Sequence, residues 1–443
     1  MTAVPEWQGW VALGILVVAF LGAGWWLLLA PLPPSYRPVR TRSAPQARHL
    51  VATLVLASGA LFTVGARWDE LWHRMYGGFG EDFLWPPHLM MYAALGLNLA
   101  FALAGLAVAA GLRVATGDPA TTHVPICERF RAEPAIAFLG LTASFQMASI
   151  PSDLIWHEII GPDLTAWSLP HVLLAATTTA VLMAGVALSR ARATQLGWRA
   201  DALTIGILAT SQLALLQVGT TEWDWSTAAD RAPGGFLALR PAWAYPLITV
   251  VVGIMHGIVA RVVTGRIGAA SAVAAVGMIV QAATSAAGRL QAPPGPSIAT
   301  AMAVAYGAVA MDLWWRYRGR SAPGGHASVG GASLGLPDLF AGTGAWLAGF
   351  SALGLSGLGR QAGIAPEDSG TWLLVFVTTI GGGAITAVAA TFLGAWLTRV
   401  GLGVAPTAPP APTGRPVPTV GEARPPARGA NRRDRGQAAS RRR

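Results

Sequence analysis

Two short stretches of the chain place an aspartate and a histidine four residues apart. They are Asp69 with His73 and Asp153 with His157, and a tryptophan directly precedes each histidine. Residues four apart share one face of a helix, with their Cβ atoms about 6 Å from each other. Each pair could therefore supply two ligands to a single metal ion.

A further histidine opens the next helix after each pair. His88 follows His73 after fourteen intervening residues, and His171 follows His157 after thirteen; a proline precedes both. Proline in a first helical turn loses no hydrogen bond, because that N–H has no helical partner. It therefore holds the following histidine near the end of the preceding helix, and we expect His88 and His171 to be third ligands.

The ligand types restrict the choice of metal. One carboxylate and two imidazoles in an apolar setting suit copper, zinc, iron or nickel, whereas calcium and magnesium prefer oxygen ligands. Glu158 and Asp163 are expected partners that would orient the imidazole N–H groups. The alternative interpretation is that the histidines are ordinary polar residues at helix ends and the aspartates only cap helices.

A weaker third copy of the pattern indicates an internal repeat. Trp223-Asp224 is followed seventeen residues later by Pro241, the offset that separates Asp153 from Pro170. Alanines, Ala228 and Ala242, occupy the two histidine positions. We interpret the pattern as an ancestral hairpin with two functional copies and one degenerate copy. The tryptophans beside the three copies are typical of an aromatic belt at a membrane surface.

The elements that must position these residues are membrane helices. The chain of 443 residues is 53% hydrophobic and only 12% charged, whereas about a quarter of a soluble domain is charged. Its apolar residues fall in blocks of about twenty, the length that crosses a bilayer as a helix. We therefore expect an all-α, polytopic helical bundle. The eleven predicted spans are 8–30, 49–73, 88–113, 134–157, 169–190, 201–219, 244–263, 266–287, 297–317, 337–358 and 371–399.

Arginine placement predicts the orientation of these spans. Alternate loops are arginine-rich, as cytoplasmic loops are, and the others collect acidic residues. This pattern places the N-terminus outside, the C-terminus in the cytoplasm and both Asp/His/His sets at the outer face of a cell (inner or plasma) membrane. The single cysteine, Cys127, excludes a secreted disulfide scaffold.

The predicted spans divide into three regions. Residues 1–263 form a bundle with the repeated hairpins 49–113, 134–190 and 201–263, and residues 264–400 add four helices. Residues 401–443 are predicted to be a disordered cytoplasmic tail. The tail holds nine arginines and two acids, which is +7 of the net charge of +10. We expect it to meet anionic lipid and expect no nucleic-acid partner.

The motifs resemble a known family. The C subunit of the copper-dependent membrane monooxygenases, which include methane and ammonia monooxygenases, carries an Asp-x-x-x-His pair near a helix end and a second histidine about a dozen residues on. Asp153, His157 and His171 match this pattern with one extra residue, and Asp69, His73 and His88 match it less closely. The resemblance covers about residues 49–190 and leaves the last four spans unmatched. It implies copper as the cofactor, an oxidoreductase complex with partner subunits, and binding at the outer face.

Two other functions fit the same residues. The site could receive copper or zinc for transport or for assembly of a metalloenzyme, with Gly381-Gly382-Gly383 breaking the last helix and His256 as a deeper ligand. Such glycines also occur where helices pack tightly. The third possibility is a membrane scaffold without metal, whose outer loops contact a partner or a second copy of the chain. The sequence indicates no catalytic residue.

Overall fold

A computed structural model defines the fold. It describes Val18 and residues 45–76, 85–116, 124–127, 130–132, 134–161, 165–190, 197–232, 234–291, 295–321 and 336–402. The predicted first span, except Val18, lies outside these ranges. So does the predicted tail, except its first two residues.

The described chain is almost entirely helical. Its helices are α1 Pro45–Tyr76, α2 Pro86–Thr116, α3 Pro134–Met147, α4 Ser149–Ile159, α5 Leu169–Arg190, α6 Trp198–Asp224, α7 Ala228–Arg231, α8 Ala244–Thr264, α9 Ala269–Gln291, α10 Ala299–Ser321, α11 Leu336–Leu353, α12 Leu355–Gln361 and α13 Ser369–Leu402. Three of them begin at a proline, as expected where the first-turn N–H needs no acceptor.

The structure confirms a multi-pass helical membrane protein but not the count of eleven spans. Eight described segments are long and apolar enough to cross a bilayer. The predicted spans 297–317 and 337–358 are helical as α10 and α11, yet neither is among the eight. Asp312 and three arginines interrupt the second half of α10, and the apolar part of α11, Phe340–Leu353, is short. The orientation in the membrane remains a prediction.

One connection contains strands where the sequence predicted only an inner loop. Val124–Cys127 (β1) and Phe130–Ala132 (β2) pair antiparallel between α2 and α3. The chain is therefore not purely α-helical, although every candidate membrane span is a helix.

The predicted span 134–157 is broken into α3 and α4. Pro151 has no N–H to donate to Met147 in the preceding turn. The chain responds with a tight turn in which the Ala148 N–H donates to the carbonyl of Phe145 at 3.1 Å, and the Ser149 hydroxyl donates to the carbonyl of Gln146 at 2.6 Å. The second Asp/His pair lies on the helix that follows this break.

The core lies around α5, α6 and α8, where most apolar side chains are buried. α5 is the central span, buried over 72% of its apolar window, and α13 is peripheral, at 33%. At one end of the bundle Asp201 pairs with Arg190 at 2.6 Å and with Arg266. The opposite end, which we call the motif face, carries the end of α1, the start of α2, residues 165–167, the end of α6 and the start of α8.

Candidate metal centre

The first predicted ligand set converges on the motif face. Nε2 of His73 lies 3.5 Å from Oδ1 of Asp69, one helical turn earlier on α1. Nε2 of His88, in the first turn of α2, lies 3.0 Å from the same oxygen. One ligand atom from each of the three residues falls within 4.8 Å of the others. The hairpin between α1 and α2 thus produces the three-ligand group that the sequence predicts.

Aromatic rings enclose this group. Trp72 contacts Trp68 at 5.9 Å and Trp85 at 5.7 Å between ring centroids, and Trp85 also lies 5.7 Å from the His73 ring. The side chains of Asp69, His73 and His88 are only 14%, 15% and 8% exposed. A carboxylate held in such an apolar setting requires a compensating positive charge.

The position of Asp69 is compatible with a metal ligand. Its Oδ1 atom is buried and makes no hydrogen bond of satisfactory geometry within the described residues, although two imidazole nitrogens are near. Ligands bonded at about 2.0–2.2 Å to a tetrahedral ion are separated by about 3.3–3.6 Å. The separation of 3.5 Å between His73 and Asp69 lies inside that range, and the separation of 3.0 Å between His88 and Asp69 is shorter.

The second predicted set is only partly assembled. Nε2 of His157 lies 3.6 Å from Oδ1 of Asp153 on α4. His171 does not complete a group of three with them. All six residues of the two sets are described, and no three ligand atoms taken partly from one set and partly from the other all lie within 4.8 Å of one another. Glu158 is exposed, and Asp163 lies outside the described residues.

The degenerate third copy forms a buried hydrogen-bond network instead. Oδ1 of Asp224 accepts hydrogen bonds from the Tyr245 hydroxyl at 2.7 Å and from the Thr300 hydroxyl at 2.8 Å, and Oδ2 accepts one from Thr220 at 2.7 Å. The Trp223 ring stacks on Tyr245 at 5.0 Å and is fully buried. The prediction that the nearby tryptophans form a membrane-surface belt is therefore wrong for Trp223 and for Trp225, which is 5% exposed.

Arg67 is a residue that the motif analysis missed. Its side chain is 7% exposed, and its Nε and Nη1 atoms have no hydrogen-bond partner within the described residues. It lies near enough to Asp224 for electrostatic attraction, beside a cavity of about 10 Å³, roughly the size of one water molecule. An arginine inside an apolar span was itself a signal, because such charges are costly and tend to be functional.

The features that suggested transport have structural explanations. α13 continues through Gly381–Gly383, and a Cβ atom on Gly382 would collide with Leu247 of α8. Gly382 and Gly383 therefore serve close packing, the alternative interpretation, whereas a Cβ atom on Gly381 would meet nothing within 4 Å. His256 is fully buried, with Nδ1 2.8 Å from the carbonyl of Val252 and Nε2 2.9 Å from the Ser211 hydroxyl. Both of its ring nitrogens are already engaged within the protein.

Comparison with known proteins gives no relative. No family model, no curated protein and no solved structure matches the chain. The resemblance to the monooxygenase C subunit therefore remains a prediction, and the site geometry is what bears on function.

Proposed function

We propose that this chain is an integral membrane metal-binding protein that holds one transition-metal ion, preferably copper, on Asp69, His73 and His88 at the outer membrane face. The observation that carries the proposal is the buried Oδ1 of Asp69, which faces two imidazole nitrogens at 3.0 and 3.5 Å. One carboxylate, which offsets part of the charge of the ion, and two neutral imidazoles match the ligand preferences of copper and zinc.

A mononuclear centre is the form that the geometry supports. The two Asp/His/His sets do not share a three-ligand group, so a joint dinuclear centre has no support in the described residues. Asp153, His157 and His171 remain proposed ligands of a second, separate site. Because these three side chains are not brought together as the first set is, the second site should bind more weakly than the first.

The chemistry of the site depends on its open positions. Three protein ligands leave room for a small molecule on the ion, and a redox-active ion there could activate O₂ for an apolar substrate arriving from the bilayer. The side chains of this chain would hold the ion, offset its charge through Asp69 and limit water through the surrounding tryptophans. A subunit of a copper-dependent membrane monooxygenase is thus the proposed enzyme role, with partner subunits supplying electrons.

Metal handling is the second candidate, and one measurement separates the two. Oxygen consumption with small hydrocarbons or ammonia by the native membrane complex is expected for an oxygenase and not for a storage or transfer protein. The engaged state of His256 and the unbroken α13 disfavour transfer across the membrane.

Metal content tests the site itself. Purified full-length protein in detergent, loaded with copper and passed through a desalting column, should retain a stoichiometric amount by elemental analysis. His88→Ala should reduce retention about tenfold or more. His49→Ala, a histidine near the opposite end of α1, is the control and should leave it unchanged. Equal retention in all three proteins would reject the proposal, and the metal-free scaffold would then be the better interpretation.

A further inference from the structure

A cavity of about 450 Å³ opens on the motif face, away from the proposed metal ligands. Its walls come from α7, the start of α10, the end of α11 and α12, and we call it the arginine cavity. Arg231 and Arg360 both line it, and among the described residues no acidic side chain does. This is notable because loops on this side of the membrane are expected to carry few arginines.

Neither arginine is neutralised by a carboxylate within the described residues. Arg240, another arginine of the same face, pairs with Glu222 at 2.5 Å. Arg231 instead donates from Nη1 to the carbonyl and hydroxyl oxygens of Ser226, both at 3.0 Å. Arg360 is exposed and makes no side-chain hydrogen bond or ion pair with another described residue. The cavity therefore presents two positive charges with unused donor groups.

The wall that carries these charges is held in place. The Gln361 side chain donates to the carbonyl of Trp223 and to the hydroxyl of Ser226, which also binds Arg231. The N–H of Ser297 donates to the carbonyl of Asp224 at 2.6 Å, which fixes the start of α10. The network thus positions the guanidinium group of Arg231 and, through Gln361, fixes the end of α12 that carries Arg360.

The rest of the lining is polar on one side and apolar on the other. Ser297 and Ser356 add hydroxyl groups, whereas Met302 and Leu353 supply an apolar wall, and Leu353 is 63% exposed at the end of α11. Two arginines match the oxygens of a phosphate through paired hydrogen bonds. A charged end beside an apolar, lipid-accessible wall suits a molecule with a phosphate head and a hydrocarbon tail.

We propose that the arginine cavity binds the phosphate group of an anionic phospholipid, with the first part of an acyl chain along Met302 and Leu353. This site is independent of the proposed metal centre. The lipid would link α7, α10 and α12 on the motif face, where hydrogen bonds from Arg231, Ser297 and Gln361 already tie these segments to residues 223–226.

Lipid binding by the full chain in detergent tests this proposal. Native mass spectrometry should show phosphatidylglycerol bound more tightly than phosphatidylcholine. The double variant Arg231→Gln, Arg360→Gln should lose about tenfold in affinity for phosphatidylglycerol, since hydrogen bonds to charged groups are removed. The double variant Arg199→Gln, Arg289→Gln removes two arginines that do not line the cavity, and it should bind as the wild type does.

Further outcomes separate the possible sources of phosphate. If inorganic phosphate raised the unfolding temperature as much as phosphatidylglycerol does, the cavity would be assigned to a soluble phosphate. The proposal of a bound phospholipid would then be rejected. Equal affinity of the wild type and the cavity double variant for phosphatidylglycerol would show that the arginine cavity is not the binding site. Arg360→Gln alone removes a side chain without internal contacts, so it gives the same test if the double variant unfolds. Copper retention is also measured for each variant. Because the two sites are independent, a loss of lipid binding with unchanged copper retention concerns the arginine cavity alone.

Discussion

Nε2 of His88 lies 3.0 Å from Oδ1 of Asp69, and this contact joins the first turn of α2 to the last turns of α1. His73, which lies on α1 with Asp69, approaches the same oxygen. One carboxylate oxygen therefore lies near both proposed imidazole ligands. The charge of Asp69 should therefore matter more to metal affinity than its shape.

Replacing Asp69 with asparagine tests this expectation. Asp69→Asn keeps the size of the side chain but removes the negative charge that offsets the ion, so copper affinity should fall about tenfold or more. Competition with a coloured copper chelator measures the change. Asp153→Asn is the matched variant and should have the smaller effect, because no three-ligand group forms around its pair within the described residues. A larger loss in Asp153→Asn would show that the second set, which resembles the monooxygenase pattern more closely, is the principal site.

The Asp224 network should contribute measurably to stability. Tyr245→Phe removes the hydroxyl that donates to Oδ1 of Asp224 at 2.7 Å and leaves a buried carboxylate with fewer partners. The free energy of unfolding in detergent should fall by about 1–3 kcal/mol. Tyr306→Phe is the control, because the Tyr306 hydroxyl makes no hydrogen bond with another described residue. Similar losses in the two variants would argue against the network as the source.

The start of α13 should depend on pH through Asp368. Its Oδ1 accepts a hydrogen bond from the Thr371 N–H at 3.0 Å, and Oδ2 accepts one from the Thr371 hydroxyl. These bonds, with the side-chain bond the larger cause, lower the pKa of Asp368 below its ordinary value of 3.8. A lowered pKa means that the capping contribution is complete above pH 3.8 and is lost as the pH falls through the folded-state pKa.

Hydrogen exchange can measure this local effect. After correction for intrinsic exchange rates, the amides of Gly370–Trp372 should lose protection in acid in the wild type. In Asp368→Ala they should be weakly protected at every pH, because the carboxylate that caps the helix is gone. Glu367→Gln, which changes the neighbouring acid, should behave as the wild type. Unchanged protection in Asp368→Ala would contradict the capping role.

The helices could be predicted because each depends on local patterns. Apolar blocks and the prolines at positions 45, 86 and 134 identify ten helical segments within the described residues, including both helices of the first metal hairpin. The break after Met147 was also encoded, because Pro151 cannot donate to the preceding turn. It escaped prediction since hydropathy averages over a whole span and is insensitive to a single missing hydrogen bond.

The sites were harder to predict because they depend on contacts between distant helices. Asp69, His73 and His88 could be grouped from sequence, since two ligands share a helix and a short connection fixes the third. The same reasoning placed His171 with Asp153 and His157, yet these three do not form a three-ligand group among the described residues. Arg67 and Thr300 join the Asp224 region from α1 and α10, and no local spacing relates those three positions.

The packing of Trp346 against two glycines gives a final test of the bundle. Trp346 of α11 is fully buried, and a Cβ atom on Gly253 would lie 2.5 Å from its Cζ2 atom, while one on Gly307 of α10 would collide with the same ring. Overfilled cores lose about 1–3 kcal/mol, so Gly307→Ala should lower the unfolding free energy by that amount. Gly344→Ala, on the exposed face of α11 with nothing within 4 Å of its added methyl, should be neutral or gain up to about 1 kcal/mol from helix propensity. Thermal unfolding in detergent compares the two, and a Gly307→Ala protein as stable as Gly344→Ala would show that α10 and α11 are farther apart than described.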